Sequence, residues 1–253
     1  MKIAEIIRRN GFWYSLAILF NRLIPGWLFR YRNFVIYEMN VEEEVPSDWR
    51  ALLNRELCQA ASTVPSATRV RWCESVSDYE AVERLTYFRR PFSAVNLTAC
   101  SAEVNGRLAG GFWAAAEQFD EQELGLRLKL GTTQAWLFAA LVHKDMRRMG
   151  IHSEMLRFMV SELTTLGFNE IFVAVNPSNI GSNRIHSRHA RSLAGRVWVV
   201  RFLSITCCFV RGRVQVDRWF RFNVRRNPIE LRFPSSVPNI PMERPSAVRA
   251  ASG

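Results

Sequence analysis

The 253-residue chain is poor in cysteine and contains no paired-cysteine motif. Its five cysteines are an odd number, and no two of them stand in a C-x-x-C spacing. A disulfide framework and a structural zinc site are therefore both unexpected, and a reducing, cytoplasmic setting fits this usage best.

The chain also lacks any apolar run of the roughly 18 to 20 residues that a membrane-spanning helix needs. Near the N-terminus, apolar residues 12–20 follow several basic residues, but Asn21 and Arg22 end the run and no small-residue cleavage site comes after it. We interpret residues 1–29 as an amphipathic helical segment, interrupted at Pro25-Gly26, that is kept in the protein. Such a segment either packs on the folded domain or lies peripherally on an anionic membrane surface, where its aromatic residues would be favoured.

Lysine is scarce, with three residues against 31 arginines, and the net charge of +11 is spread unevenly. Residues 1–32 hold six basic residues and one acid, residues 211–253 hold nine arginines and three acids, and the middle of the chain holds 19 of each sign. The basic ends therefore either raise solubility or face an anionic partner, which would be a membrane or a nucleic acid.

Composition divides the chain into three parts. Residues 1–67 form an N-terminal extension that we expect to be mainly helical, with a short strand at Phe34–Met39. Turn-forming residues at 63–68 mark a boundary, and residues 68–226 have the pattern of a folded domain. Prolines crowd the sequence after Asn227, which predicts an extended or disordered tail over residues 227–253.

Periodicity and turn signals predict both strands and helices in residues 68–226. We expect strands around Val70 and over Val95–Val104, Leu108–Ala116, Ala135–Val142, Ile171–Val175, Val197–Thr206 and Val214–Val224, the last two joined around Arg211-Gly212-Arg213. We expect helices from a Ser77-Asp78 cap to about Phe88, over Met149–Leu166 and over Asn179–Ala190. Asn105-Gly106 is the strongest hairpin signal, whereas residues 117–133 show no clear pattern.

The most informative stretch is residues 135–175, which reads as a buried strand, a turn, a helix ending at Gly167 and a second buried strand. The turn, residues 144–152, opens the helix, where backbone N–H groups lack acceptors and the helix dipole adds positive charge. That combination binds phosphate or pyrophosphate. Gly150 lets a ligand approach the backbone closely, and Arg147 and Arg148 add charge suited to phosphate.

This turn resembles the acyl-CoA-binding motif of the GNAT superfamily of acyl-CoA-dependent N-acyltransferases. The matching residues are Arg147-x-x-Gly150-x-His152. The family usually has Gly or Ala at the last of these positions, so His152 is a departure.

A second match follows at the expected distance. Asn179, Ser182, His186 and Arg188 resemble the family pattern Asn-x-x-Ala/Ser-x-x-x-Tyr-x-Lys. Ala190-Arg191 replaces the Gly-Phe that usually follows. The order of strands and helices also fits, and the resemblance covers roughly residues 68–206.

The resemblance implies an α/β (α+β) fold, a GNAT-like mixed and mostly antiparallel sheet flanked by helices, with N- and C-terminal extensions. It implies acetyl-CoA, or another acyl-CoA, as co-substrate, with the pyrophosphate on the turn amides and the pantetheine arm between two splayed strands. The residues that would bind it are Leu141, Val142, Arg147, Arg148, Met149, Gly150, Ile151, His152, Asn179, Ser182 and Arg188.

The resemblance also places His186 where the family often has its general-acid tyrosine, and a histidine near its usual pKa donates a proton at neutral pH. The general base is left open among Glu103 on the hairpin, Glu117 after it, His143 and a water. His186 and His189 lie three apart on the expected helix, but no third ligand is evident, so we expect no metal site.

The resulting expectation is an acyltransferase, most simply an N-acetyltransferase, in which a small-molecule or peptide amine attacks the thioester directly. One alternative is a GNAT-like module that binds an acyl-CoA or a partner without turnover, which the departures at His152 and Ala190-Arg191 favour. Another is a basic nucleic-acid-binding protein. Nucleic acid is the less favoured partner, because the charge lies in the ends and no motif for DNA or RNA is visible.

Overall fold

The computed structural model of the chain describes residues 23–25, 28–41, 68–90, 96–121, 123–222 and 227–235. The chain divides into two compact units. The first unit comprises residues 1–38, 118–131 and 174–236, and the second comprises residues 39–117, 132–173 and 237–253. Residues 1–22 lie outside the described residues, so the amphipathic segment and its membrane surface stay predictions.

The described residues form strands and helices that we number in chain order. The strands are β1 (Phe29–Met39), β2 (Thr68–Trp72), β3 (Leu97–Val104), β4 (Arg107–Ala116), β5 (Gln118–Glu121), β6 (Leu126–Lys129), β7 (Gln134–Val142), β8 (Glu170–Val175), β9 (Ala190–Phe202), β10 (Ile205–Gly212), β11 (Gln215–Val216), β12 (Phe220–Phe222) and β13 (Ile229–Arg232). The helices are α1 (Val76–Thr86), α2 (Ile151–Thr165) and α3 (Ile180–His189). None of the helices in this part of the chain is long and apolar enough to cross a membrane.

The second unit is built on a sheet whose strands follow the order β8-β7-β4-β3-β2. Neighbouring strands are antiparallel except for the parallel pair β7 and β8. Asn105 and Gly106 close the β3–β4 hairpin with φ angles of 51° and 73°, as a tight two-residue hairpin turn requires. The mostly antiparallel sheet confirms the predicted fold class.

Two consecutive glycines of β4 let helices lie close to both faces of this sheet. A Cβ atom on Gly110 would stand 2.9 Å from the Met155 side chain of α2, and one on Gly111 would stand 2.7 Å from the Val82 side chain of α1. Because successive strand residues point to opposite faces, α1 and α2 flank the sheet on opposite sides. Val82 and Met155 are both fully buried, so these contacts belong to the core.

The start of α1 corrects the predicted cap. The N-cap is Ser75 and not Ser77, because the Ser75 hydroxyl accepts a hydrogen bond from the Asp78 amide at 3.1 Å while the Asp78 carboxylate accepts one from the Ser75 amide at 3.2 Å. This reciprocal arrangement is a capping box. The Asp78 carboxylate also forms a two-pronged ion pair with Arg71 of β2, at 2.8 and 2.9 Å, and this pair ties the helix to the sheet edge.

Replacing Asp78 by Ala should lower the free energy of unfolding by about 2 kcal/mol near pH 7, because the carboxylate half of the capping box and the ion pair are lost together. The ion pair with Arg71, first among several hydrogen bonds, lowers the pKa of Asp78 in the folded state. Stability from this carboxylate is therefore complete above the pKa of an unfolded Asp, about 3.9, and is lost as the pH falls toward the folded value.

Urea unfolding at pH 7 and at pH 3 measures both effects. The difference between wild type and Asp78→Ala should shrink at the lower pH. The control is Glu80→Ala, an exposed position of the same helix, which should change stability little at either pH. An equal loss for Asp78→Ala at both pH values would contradict an electrostatic role.

The first unit contains two sheets and α3. One sheet has the strand order β12-β10-β9-β1, in which β9 and β10 form a long antiparallel hairpin and β12 pairs with the start of β10. The other has the order β11-β13-β6-β5, with β5 and β6 antiparallel and β13 parallel to β6.

Two strand predictions for this unit are wrong in detail, and one stretch without a prediction is ordered. Residues 117–133, which show no clear sequence pattern, contain β5 and β6. The predicted strand 197–206 is interrupted, because Leu203 takes a left-handed φ of 52° and the chain reverses there. The predicted strand 214–224 breaks into β11 and β12.

The tail, predicted to be extended or disordered from residue 227, is ordered over its first residues. Ile229 and Leu231 alternate with polar residues and are buried in β13, which pairs with β6 in parallel register. Proline density alone favours an extended chain. Between Pro228 and Pro234, however, apolar and polar residues alternate, and this gives the segment one apolar face with which it joins the sheet as a strand. At the other end, β1 extends the short predicted strand Phe34–Met39 back to Phe29.

Candidate functional site

Among the described strands, β8 pairs with only the first part of β7. In the second unit, β7 and β8 pair from Gln134 opposite Glu170 as far as Leu137 opposite Val173. Beyond Leu137, β7 continues to Val142 and pairs with β4 alone. The described pairings therefore leave residues 138–142 with one hydrogen-bonding edge that β8 does not cover.

A bulge lies where this pairing stops. The register between β4 and β7 shifts between Gly111 and Trp113, and Ala139 has a φ of 49°. A non-glycine residue at positive φ costs free energy, and bulges often re-aim a strand beside a functional site. The bulge thus marks the point at which β7 changes its partners.

The turn after β7 is folded back onto the strand. The His143 amide donates to the Ala109 carbonyl at 2.8 Å, and the Arg147 side chain donates from Nε to the Val142 carbonyl at 3.2 Å. A short 3₁₀ turn, Lys144–Met146, lies between them. Arg147 thereby holds the turn against the end of β7, which the sequence motif did not indicate.

The backbone of this turn suits an anion. Arg148 and Gly150 both have left-handed φ angles, 69° and 74°, whereas Met149 between them does not. Alternation of right-handed and left-handed residues turns successive amide groups toward a shared concavity. Gly150 is the N-cap of α2 and has no side chain to occupy the first amides. Arg147 and Arg148 are exposed beside it, and the one acid of the first helical turn, Glu154, is paired with Arg157.

His152, the departure from the family motif, does not stand over these amides. Its ring stacks on Phe112 of β4, with 5.9 Å between ring centroids and 27° between planes. Phe112 is fully buried, so the imidazole is directed toward the sheet. A bulky residue is compatible with an anion-binding turn here because its side chain packs into the core of the second unit.

The second motif caps α3 in the first unit. Asn179 is the N-cap, and its side chain accepts a hydrogen bond from the Ser182 amide at 3.2 Å. Asn183 adds bonds from its side-chain amide to the carbonyls of Asn176 and Asn179, both at 2.8 Å. Asn179 and Ser182 therefore fix the start of the helix, and Arg188 lies exposed near its end.

His186 is buried in the first unit, with 2% of its surface exposed. Its Nδ1 lies 2.8 Å from the Ser182 carbonyl oxygen. Because a carbonyl only accepts, Nδ1 carries the proton in the neutral ring and Nε2 is the acceptor nitrogen. Burial lowers the pKa of His186, the bond to Ser182 partly offsets this, and His189 lowers the pKa further. The imidazole is therefore neutral at neutral pH, whereas the sequence-based expectation was a histidine near its usual pKa.

Tyr37 of β1 is a neighbour of His186 that sequence reasoning missed. The two rings are stacked with 6.5 Å between centroids, and the Tyr37 hydroxyl donates to the Asn183 side chain at 3.0 Å. Burial raises the pKa of Tyr37, and Arg196 opposes the shift. No local signal marks this residue, because it comes from the predicted extension, 146 positions before Asn183.

The two candidate carboxylates are not brought together. Glu103 stands at the hairpin end of β3 and is ion-paired with Arg71 at 3.2 Å. Glu117 follows the far end of β4, which pairs with the start of β7, and accepts a hydrogen bond from Asn96 at 2.9 Å. The Nδ1 atom of His143 lies 3.5 Å from a carboxylate oxygen of Asp145. Across the described parts of the chain, no group of three or more His, Cys, Asp or Glu residues could hold a metal ion.

Comparison with protein-family models matches residues 61–190 to the acetyltransferase (GNAT) family. This range is more than half of the 253 residues. The chain belongs to the GNAT family. The resemblance seen in the two short motifs is thereby confirmed, and the matched range ends at Ala190, where α3 passes into β9. In this GNAT protein, β1, the rest of β9 after Ala190, and β10 to β13 lie outside the matched range.

Solved structures show similarity at low identity. An aminoglycoside acetyltransferase from an uncultured soil metagenomic sample, in complex with sisomicin, is 15% identical with a TM-score of 0.38, covering 50% of this chain and 88% of that one. A GCN5-related N-acetyltransferase from Kribbella flavida is 12% identical with a TM-score of 0.42, covering 75% and 63%. A ribosomal-protein-alanine N-acetyltransferase from Brucella melitensis biovar Abortus 2308 is 16% identical with a TM-score of 0.38, covering 50% and 92%. No curated protein matches the chain.

Proposed function

We propose that this GNAT protein transfers an acetyl group from acetyl-CoA to a small-molecule or peptide amine. One observation carries the proposal: an open β7 edge runs directly into a turn whose amides and arginines suit a pyrophosphate. The co-substrate needs both features, because it combines an extended arm bearing amide groups with a diphosphate. GNAT membership supports acyl transfer from an acyl-CoA.

In this proposal the diphosphate binds to the backbone of residues 147–152, with Arg147 and Arg148 supplying charge. The dipole of α2, a helix of 15 residues, adds to the attraction at its N-terminus. The pantetheine amides pair with the β7 edge at Leu141 and Val142. The Val142 carbonyl already accepts from Arg147, so pairing at Val142 uses its amide or follows release of the arginine.

The chemistry is an acyl exchange that needs one proton acceptor. The amine nitrogen attacks the thioester carbonyl carbon, a carbon–nitrogen bond forms, and the carbon–sulfur bond breaks to release the CoA thiolate. The amine must lose one proton and the thiolate must gain one. We propose that His186 takes the amine proton on Nε2 and returns it to the thiolate, since a neutral imidazole accepts a proton and a low-pKa imidazolium gives it up readily.

Glu103 and Glu117 are weaker candidates for the acceptor. The Glu103 carboxylate is engaged by Arg71 at 3.2 Å, so this contact would have to be released before the carboxylate met an amine. Glu117 accepts a hydrogen bond from Asn96 and lies at the end of β4 that is distant from the turn at residues 144–152. A neutral histidine is the better match to proton transfer near neutral pH.

A second candidate function is acyl-CoA binding without turnover, and the burial of His186 favours it. Calorimetry with CoA and a thiol-release assay with acetyl-CoA and a panel of amines separate the two. Binding with turnover of at least one amine supports the enzyme, whereas binding with no thiol release above the uncatalysed rate supports the binding module. Absence of CoA binding at millimolar ligand would overturn both.

A further inference from the structure

The sheet of the first unit has an apolar face on its outer side. In β9 and β10, Val197, Val199, Thr206 and Cys208 are buried, and they point to the inner face. The residues between them therefore point outward, because successive strand residues alternate. Several of these outward residues, and others around them, are large apolar side chains left about half exposed: Phe202, Leu203, Phe209, Trp219, Phe220 and Phe222.

Strand register sorts this outer face into cross-strand rows. Residues directly opposite each other lie on one face and interact. The rows run from the hairpin turn along the strands: Phe202, Ile205 and Phe222, then Val200, Cys207 and Phe220, then Trp198 and Phe209, then Arg196 and Arg211. Trp219 packs on both Phe209 and Phe220, at ring distances of 6.5 and 4.5 Å. We call the three apolar rows with Trp219 the aromatic face; the arginine pair closes one end of it.

The surroundings of the aromatic face are strongly basic. Residues 190–222 contain seven arginines and one acid, Asp217, and Asp217 is ion-paired with Arg221. Near the hairpin turn, Glu123 is paired with Arg30 at 2.6 Å. At the opposite end of β10, Glu38 is paired with Arg213 at 2.5 Å. Each of these three acids is thus paired with an arginine, and residues 190–222, with seven arginines and one acid, carry a net charge of +6.

We propose that the aromatic face docks on an anionic lipid surface. A contiguous exposed apolar patch on a folded sheet marks an interaction surface, and the surrounding arginines specify a partner of negative charge. Phe202 and Leu203 at the hairpin turn enter the interfacial region, while Arg196 and Arg211 contact lipid phosphates. The chain enters β1 beside this turn, where the Leu203 amide donates to the Leu28 carbonyl at 2.7 Å.

The packing of the rings favours lipid over a single-stranded nucleic acid. Bases stack on open, planar ring faces. Here Phe220 meets Phe222 edge to face, at 82° between planes, and is tilted by 54° against Trp219. The aliphatic members, Val200 and Ile205, offer no stacking surface, yet they gain free energy on leaving water. A mixed aliphatic and aromatic face rimmed by arginine suits the bilayer interface.

Vesicle flotation of the full-length protein tests the proposal. Vesicles of phosphatidylcholine with phosphatidylserine should carry the wild type upward, vesicles of phosphatidylcholine alone should carry much less, and added salt should weaken the binding. Phe209→Ser with Phe222→Ser should reduce the bound fraction about tenfold or more at limiting lipid. Arg196→Gln with Arg211→Gln should have an effect of similar size on the anionic vesicles only.

Two controls match these variants outside the first unit. Leu166→Ser removes an exposed apolar side chain, and Arg107→Gln removes an exposed charge; both should float as the wild type does. Thermal melts establish that each variant is folded. Unchanged flotation of the Phe209/Phe222 variant, or no flotation of the wild type, would overturn the proposal.

Two further measurements would also overturn the lipid proposal if they showed that something else binds the aromatic face. If a second copy of the chain covers the face, light scattering without lipid would show a dimer. The double variant Phe209→Ser with Phe222→Ser would then be a monomer. Fluorescence anisotropy with a labelled oligothymidine would show tight binding that the same variant loses, if the face binds single-stranded nucleic acid. The lipid proposal expects a monomer and weak binding in these two experiments.

Discussion

Gly150→Glu should lower the affinity for CoA by about tenfold or more, which corresponds to about 1.4 kcal/mol or more of binding free energy. The substitution places a side chain and a negative charge at the N-cap of α2, where the diphosphate would bind. Like charge opposes the phosphate, and the carboxylate competes for the same amides. Isothermal titration calorimetry with CoA measures the change, and the thermal melt should stay cooperative.

The chain offers a close control for the backbone cost of this substitution. Gly106 has a φ of 73°, against 74° for Gly150, and an added Cβ atom there would meet nothing within 4 Å. Gly106→Glu therefore imposes the same left-handed strain and the same charge at the β3–β4 hairpin. Its melting temperature should fall about as much as that of Gly150→Glu, while its CoA affinity should equal that of the wild type.

The comparison of the two glycines separates binding from folding. If both variants lose CoA affinity equally, the loss comes from general destabilisation and the turn is not the diphosphate site. If neither loses affinity, CoA binds elsewhere or the Gly150 amides do not contact it. A loss confined to Gly150→Glu is the result that the proposed function requires.

The sequence predicted the turn well because the turn is local. A buried strand, Gly150 at a helix start and Gly167 at its end lie within about thirty residues, and each sets its own backbone geometry. The same reasoning located the Asn105-Gly106 hairpin. His152 could not be interpreted in this way, because its ring packs on Phe112, a residue of β4 forty positions earlier in the chain.

The β9–β10 hairpin of the first unit was harder to predict because its turn lacks the usual residues. The β9–β10 hairpin reverses at Leu203-Ser204, with neither glycine nor proline, so an apparent strand seemed to run through it. The more conspicuous Arg211-Gly212-Arg213 lies instead where β10 ends. Without the correct hairpin register, the outward-facing rows of apolar residues could not be recognised. From composition alone, the apolar residues of this region look like those of an ordinary buried core.

The environment of His186 also depends on distant residues. Sequence reasoning identified the helix and the position, but it could not supply Tyr37 from β1, which stacks on the ring, or the burial that lowers the pKa of the imidazole. The predicted role changes as a result. A charged acid at neutral pH is replaced by a neutral ring whose Nε2 accepts a proton before returning it.

His186→Ala should lower turnover roughly 100-fold, with a smaller effect on KM, if the imidazole carries the amine proton. His186→Gln should be nearly as slow, because a glutamine amide does not take up a proton in this pH range. CoA affinity measured by calorimetry should stay close to the wild-type value in both variants. Turnover that is unchanged in His186→Ala would reduce His186 to a packing residue of the first unit.

The pH profile distinguishes a proton acceptor from a residue that only fills space. A base acts in its deprotonated form, so kcat/KM should fall on the acid side as His186 becomes protonated. Because burial lowers the pKa of His186, this fall should lie below about pH 6.5, the usual value for histidine, and it should be absent in His186→Ala.

His189→Gln is the matched variant on the same helix. It removes a neighbour that lowers the pKa of His186, so the acid limb of the profile should move to higher pH. Turnover near neutral pH should stay almost unchanged. The proposal would be contradicted if the acid limb stayed at the same pH in His189→Gln while turnover was still lost in His186→Ala. The titration would then belong to another group, and His186 would only help to hold α3 in place.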